Sequence, residues 1–172
     1  VITGEVTSSF FSASFTTGDF NADGRTDLAV GASNHSSGTG RVYIFYNDGS
    51  IPPTAATADV TIAGETNSLF GVSLISGDFN ADGRMDLAVG GDYYSANYTG
   101  RVYIFHNDGS IPTAAASADV IITGESTSTQ FGNNCMAGDL NADGKTDLVV
   151  GAWYLGKVYI FYGGSIITEN AS

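Results

Sequence analysis

One pattern governs what this chain can fold into. Asp-x-Asn-x-Asp-Gly-x-x-Asp occurs three times in 172 residues, beginning at Asp19, Asp78 and Asp139. The starting points are 59 and 61 positions apart, and the similarity runs well beyond the motif. Phe11 to Tyr46, Phe70 to His106 and Phe131 to Tyr162 share one order of segments: an approach segment, the acidic loop, an Asp-Leu-x-Val-Gly run, and a closing Val-Tyr-Ile-Phe run. Self-similarity at a period of this size belongs to arrays of one supersecondary unit, none of which buries its apolar faces alone.

Each unit reads as four strands separated by turn chemistry. In the second unit the strands are expected near Phe70–Ser76, Asp86–Gly90, Arg101–His106 and Asp119–Thr123. Val102-Tyr103-Ile104-Phe105 is apolar on both alternating faces, so this strand is covered on both sides. Asn47-Asp48-Gly49 and Asn107-Asp108-Gly109 supply Asp-Gly turns. The 23 Gly, 10 Phe and 9 Tyr, against 14% charged residues, fit an ordered, turn-rich β protein. Small sheets that are apolar on both faces hide those faces by stacking radially. The expected fold is therefore all-β: three four-stranded antiparallel β-propeller blades, at about residues 6–63, 64–123 and 124–172.

Three blades are too few for a ring, which closes with roughly four to eight. Val1-Ile2-Thr3-Gly4-Glu5 repeats Ile121-Ile122-Thr123-Gly124-Glu125, so residues 1–5 read as a strand completing another blade. Two chains exchanging such strands would make a six-bladed homodimeric ring. A segment of a larger propeller is equally compatible, as is a local fourth strand at Ile166-Ile167-Thr168.

Nine of the 18 acidic residues fall inside the three motifs, and the formal net charge is −12. With only six Lys and Arg, the chain lacks the basic surface that phosphate binding needs, which argues against nucleic acid. Side-chain oxygens at positions 1, 3, 5 and 9 of a tight loop, with Gly at 6, are spaced for a hard cation. The expected ligands are Asp19, Asn21, Asp23 and Asp27 with the Arg25 carbonyl; Asp78, Asn80, Asp82 and Asp86 with that of Arg84; and Asp139, Asn141, Asp143 and Asp147 with that of Lys145. An all-oxygen set suits Ca²⁺ better than Zn²⁺ or copper, giving one ion per blade and three per chain. An EF-hand would need Glu at position 12, where this chain has Val30, Val89 and Val150.

The single Cys135 aligns with Leu74 and Phe15 and reads as a packing residue. No apolar run is long enough to span a bilayer. His35 and His106 have no recurring nucleophile or carboxylate partner, so no enzyme activity is expected and both read as surface or edge residues. Tyr93, Tyr94, Tyr98, Trp153 and Tyr154 fall in connections on the side opposite the acidic loops. There they either bind a protein or glycan ligand or pack blade edges. Asn34-His35-Ser36, Asn97-Tyr98-Thr99 and Asn170-Ala171-Ser172 match the glycan acceptor pattern.

The Phe70-Gly71 and Phe131-Gly132 pairs, the acidic loop, and the Gly31-Ala32 and Gly151-Ala152 pairs together resemble FG-GAP repeats, the blades of the integrin alpha-chain propeller head. The resemblance covers nearly the whole chain. It implies a calcium-stabilised propeller module, secreted or at the cell surface, used in adhesion or ligand recognition. Similar repeats occur in fungal lectins and beside catalytic domains, so a carbohydrate-binding propeller and a non-catalytic scaffold attached to an enzyme are the alternatives. The first unit departs from the pattern with Phe11-Ser12, and Ser33, Asp92 and Trp153 stand where the family has Pro.

Overall fold

The computed structural model describes residues 1–94 and 97–164. Among these residues, eleven strands form three antiparallel sheets, in the orders β1-β2-β3-β4, β5-β6-β7-β8 and β11-β10-β9. The first comprises β1 (Phe11–Gly18), β2 (Asp27–Ala32), β3 (Arg41–Phe45) and β4 (Val60–Ala63). The second comprises β5 (Ser73–Gly77), β6 (Asp86–Gly91), β7 (Arg101–Phe105) and β8 (Val120–Thr123). The third comprises β9 (Phe131–Gly138), β10 (Asp147–Ala152) and β11 (Lys157–Phe161). Three strands are thus seen in the third blade where four are expected, and the segment Ile166-Ile167-Thr168 lies outside the described residues. The fold is all-β, in propeller blades.

The third strand of each blade explains the stacking. Val42 and Ile44 face one way and Tyr43 and Phe45 the other, and all four are buried. The same holds for Val102, Ile104, Tyr103 and Phe105 in β7. One apolar core lies between the first and second blades, where Phe20, Val42, Ile44 and Ile62 meet Leu74, Val89, Tyr103 and Phe105. A second repeats it one blade on, where Phe79, Val102, Ile104 and Ile122 meet Leu148, Val150 and Phe131. Among the described residues no further blade lies against the aligned positions of the third: Val158 is 68% exposed and Ile160 46%. At the other end, Ile2 packs on Val30, Tyr43 and Phe45 of the first blade, as Ile62 packs on the second. The Thr3 N–H donates to the Pro53 carbonyl at 3.0 Å, and the Ala63 N–H donates to that of Thr113 at 2.9 Å. Residues 1–3 therefore lie against the first blade as the end of β4 lies against the second.

Two expectations need correction. The first strand of the second blade starts at Ser73 rather than Phe70, because Leu69 (φ 51°) and Gly71 (φ 90°) break the extended backbone. Phe70 instead forms an isolated parallel bridge with Gly40 of the previous blade. His35 is buried rather than a surface residue: its Nε2 lies 3.4 Å from Glu5 Oε2, and Ser36 Oγ lies 2.8 Å from its Nδ1. Burial holds its imidazole below the usual histidine range, with Arg41 adding to the effect.

Candidate metal loops and the loop-face cavity

The three acidic loops join β1 to β2, β5 to β6 and β9 to β10, at one end of the blades. Position 6 must turn back sharply, and Gly24, Gly83 and Gly144 do so at φ 83°, 86° and 83°. Each loop is tied by the same hydrogen bonds. Asp19 accepts from the Asp23 N–H at 3.1 Å and the Gly24 N–H at 2.8 Å, and Asn21 Oδ1 accepts from the Asp23 N–H at 3.0 Å. Asp78 and Asn80 make the equivalent bonds at 3.0, 2.9 and 3.0 Å. Those of Asp139 and Asn141 measure 3.1, 2.9 and 3.0 Å. Position 5 caps the turn in each copy, with Asp23, Asp82 and Asp143 accepting from the N–H two residues on.

Position 9 has a second task that its spacing did not reveal. Asp27, Asp86 and Asp147 are buried, and each carboxylate bridges two backbone N–H groups. Asp27 accepts from Phe20 and Asn47, both at 2.8 Å, which ties the loop to the chain leaving β3. Asp86 accepts from Phe79 and Asn107, both at 2.9 Å, and Asp147 from Leu140 at 2.9 Å and Gly163 at 2.8 Å. Burial pushes the Asp86 carboxyl up, whereas the Gly163 N–H holds Asp147 below the usual carboxylate range. Asp82 is also held low, mainly by the Arg84 N–H.

The loop side chains of the nine-residue motif offer oxygen donors at positions 1, 3, 5 and 9, a set that fits a hard cation. In the arrangement seen here these oxygens accept backbone N–H bonds. Among the described residues, no three His, Cys, Asp or Glu side chains gather on a common point that would hold a metal.

The connections at the opposite end bring some of the expected aromatic residues together. Tyr93 and Tyr98 pack edge to face, with ring centroids 4.8 Å apart. With Tyr154, Ser128 and Gln130 they line a cavity of about 330 Å³ between the second and third blades. Tyr94 is drawn elsewhere, with the Arg101 guanidinium 3.3 Å above its ring. Trp153 pairs with Tyr154 at 5.8 Å, and both are largely exposed. Ser128 and Gln130 were not legible as lining residues, since polar residues in a connection carry no signal of their own. Gln130 is buried, and among the described residues its Oε1 has no hydrogen-bond partner.

A further device repeats in each blade. Gly-Glu recurs at Gly4-Glu5, Gly64-Glu65 and Gly124-Glu125. Glu5 Oε2 accepts from Arg41 and from the Tyr43 hydroxyl, both at 2.8 Å, and Glu65 Oε2 accepts from Arg101 at 2.9 Å and Tyr103 at 2.5 Å. Glu125 pairs with Lys157 at 2.6 Å. Each entering segment is thereby fastened to the third strand of its own blade. Burial and the adjoining carboxylate push the Tyr43 phenol up to about 12. Cys135 packs in the second inter-blade core, and burial pushes its thiol up to about 11.

A family profile described as FG-GAP-like repeat matches residues 19–89, and one described as FG-GAP repeat matches residues 131–161. The chain belongs to the FG-GAP repeat family. All three acidic loops of this FG-GAP chain lie inside the matched spans. Among its relatives, Integrin alpha-PS2 of Drosophila melanogaster is 33% identical over 99% of this chain and 13% of its own length. Phosphatidylinositol-glycan-specific phospholipase D of Bos taurus is 34% identical over 87% of the chain and 20% of its own length. Integrin alpha-7 of Homo sapiens is 33% identical over 88% and 13%. The FG-GAP chain thus spans a fifth or less of the length of these curated relatives.

Proposed function

We propose that this FG-GAP chain is a calcium-binding propeller segment that serves recognition or adhesion outside the cell, secreted or at the cell surface. The observation that carries the reading is the threefold recurrence of one oxygen-lined loop, with matching hydrogen bonds agreeing to about 0.1 Å. Asp19, Asn21, Asp23 and Asp27 with the Arg25 carbonyl would hold one ion. The sets at Asp78 to Asp86, including Arg84, and at Asp139 to Asp147, including Lys145, would hold the others. Each Ca²⁺ would bring two positive charges to a loop carrying three carboxylates, offsetting their mutual repulsion.

Calorimetric titration and thermal unfolding, with and without chelator, test this. Three ions per chain are expected, and at tenfold excess over Kd each filled site adds about 1.4 kcal/mol to stability. Asp23→Ala is expected to remove one ion from the count. Unfolding that is indifferent to both calcium and chelator would overturn the reading.

The cavity bounded by Tyr93, Tyr98 and Tyr154 supports a protein or glycan partner at the loop face, with Trp153 beside it. Aromatic planes next to polar side chains also favour the lectin reading. The phospholipase D relatives favour a second reading, a non-catalytic scaffold attached to an enzyme. The exposed apolar face of the third blade and the position of residues 1–3 on the first support a homo-oligomer that closes a ring.

A further inference from the structure

Asn107 lies two residues beyond β7 in the second blade and is fully buried. Its backbone N–H donates to Asp86 Oδ1 at 2.9 Å, and Asp86 is the ninth residue of the second acidic loop. Its side-chain Nδ2 donates to the Asp19 carbonyl at 3.2 Å, and Asp19 is the first residue of the first loop, in another blade and 88 positions away. The Arg84 guanidinium donates to the Asn107 carbonyl at 3.2 Å, so the seventh residue of the second loop is gripped as well. One residue therefore touches the opening residue of one loop and two residues of the next. Among the described residues Asn107 Oδ1 has no partner, so the Nδ2 bond to Asp19 is made at the cost of a buried carbonyl oxygen left unpaired.

We infer that Asn107 is a positioning residue shared by the first two metal loops, and that it couples their calcium affinities. The inference rests on the calcium reading above. Its physical basis is the cost of ordering: an ion that fixes Asp86 fixes Asn107, and with it the carbonyl of Asp19, so the first loop has less freedom left to lose when its own ion binds. By linkage the effect is reciprocal. The next junction is built differently. There the Gly163 N–H donates to the Asp147 carboxylate at 2.8 Å and the Gly164 N–H donates to the Phe79 carbonyl at 3.2 Å, so two glycine N–H groups stand where the first junction has the Asn107 side chain. A side-chain substitution at position 107 thus removes the bond from Asn107 to the first loop and leaves the glycine-built junction intact.

The amides of Gly24, Gly83 and Gly144 report each loop separately in a ¹⁵N-edited NMR titration of the full chain with calcium. Asp82→Ala, which cripples the second loop, is expected to raise the calcium midpoint at Gly24 about fivefold. In an Asn107→Ala background the same change is expected to move it less than about twofold. Asp143→Ala is expected to shift Gly83 equally in both backgrounds, which a general loss of stability at position 107 would not allow. Asn107→Leu, which keeps the bulk and removes the donor, replaces Asn107→Ala if the alanine variant does not fold. An equal shift of Gly24 in both backgrounds, or no shift with Asn107 intact, overturns the coupling while leaving calcium binding in place. If none of the three glycines responds to calcium, the coupling and the calcium reading fall together.

Discussion

Asp92 carries a cost that its counterparts in the other blades do not. It stands where the first blade has Ser33 and the third has Trp153, and it is buried. Its Oδ2 accepts from Asn133 at 2.7 Å, but its Oδ1 has no partner among the described residues. Burial accordingly pushes its carboxyl up. A carboxyl raised in the folded state binds its proton more tightly there than in the unfolded chain. Its favourable contribution is present below the unfolded value of about 3.9 and is lost as pH rises through the folded value. Asp92→Asn is therefore expected to stabilise the protein by about 1 kcal/mol at neutral pH, with the advantage shrinking toward zero in acid. Urea denaturation of both proteins across that pH range measures it, and an advantage that grows in acid would contradict the assignment. The cost was not legible in the sequence, because an Asp in a loop is ordinarily solvated and only the third blade closing over it removes the water.

The seam between blades is set by the glycines of the Phe70-Gly71 and Phe131-Gly132 pairs. Gly71 and Gly132 both lie at φ 90°, and a Cβ on them would meet the Arg41 and Arg101 carbonyl oxygens at 2.8 and 2.5 Å. Those carbonyls belong to the third strand of the preceding blade, so the glycines allow two sheets to touch backbone to backbone. Gly71→Ala combines left-handed strain with a backbone clash and is expected to cost about 2–4 kcal/mol in urea denaturation. Gly24→Ala, also at positive φ but with open space around it, is expected to cost only about 1 kcal/mol. Equal losses would show that conformation, and not the seam, sets the cost. The strands of the second blade were legible to within about three residues because both faces of β7 are apolar. Their ends were not, because Phe70 is taken up by a bridge to Gly40 of the neighbouring blade.

For the molecule as a whole, the two ends of the array differ from its interior. Val158 and Ile160 are exposed where Val102 and Ile104 are fully buried. On the first blade Phe15 is 69% exposed, yet Ser12 stands where the seam elsewhere has glycine, and at φ 72° it keeps the left-handed backbone. A blade docking there with the usual geometry would bring its third-strand carbonyl onto the Ser12 Cβ. Ser12→Gly is therefore expected to strengthen self-association by about tenfold, or 1.4 kcal/mol, as read by light scattering across a dilution series. Unchanged mass would count against a ring closed by copies of this chain.

The number of repeats, the strand content and the oxygen-rich loops are legible along the chain, because local spacing and alternation are properties of a chain segment and its own turns. Tertiary structure alone decided the rest: which carboxylates lose their water, that the ninth Asp of each loop fastens the third strand, and that Asn107 reaches across to another blade. Those outcomes depend on surfaces brought together from positions some 60 to 90 residues apart, and burial between two sheets has no signature in either one.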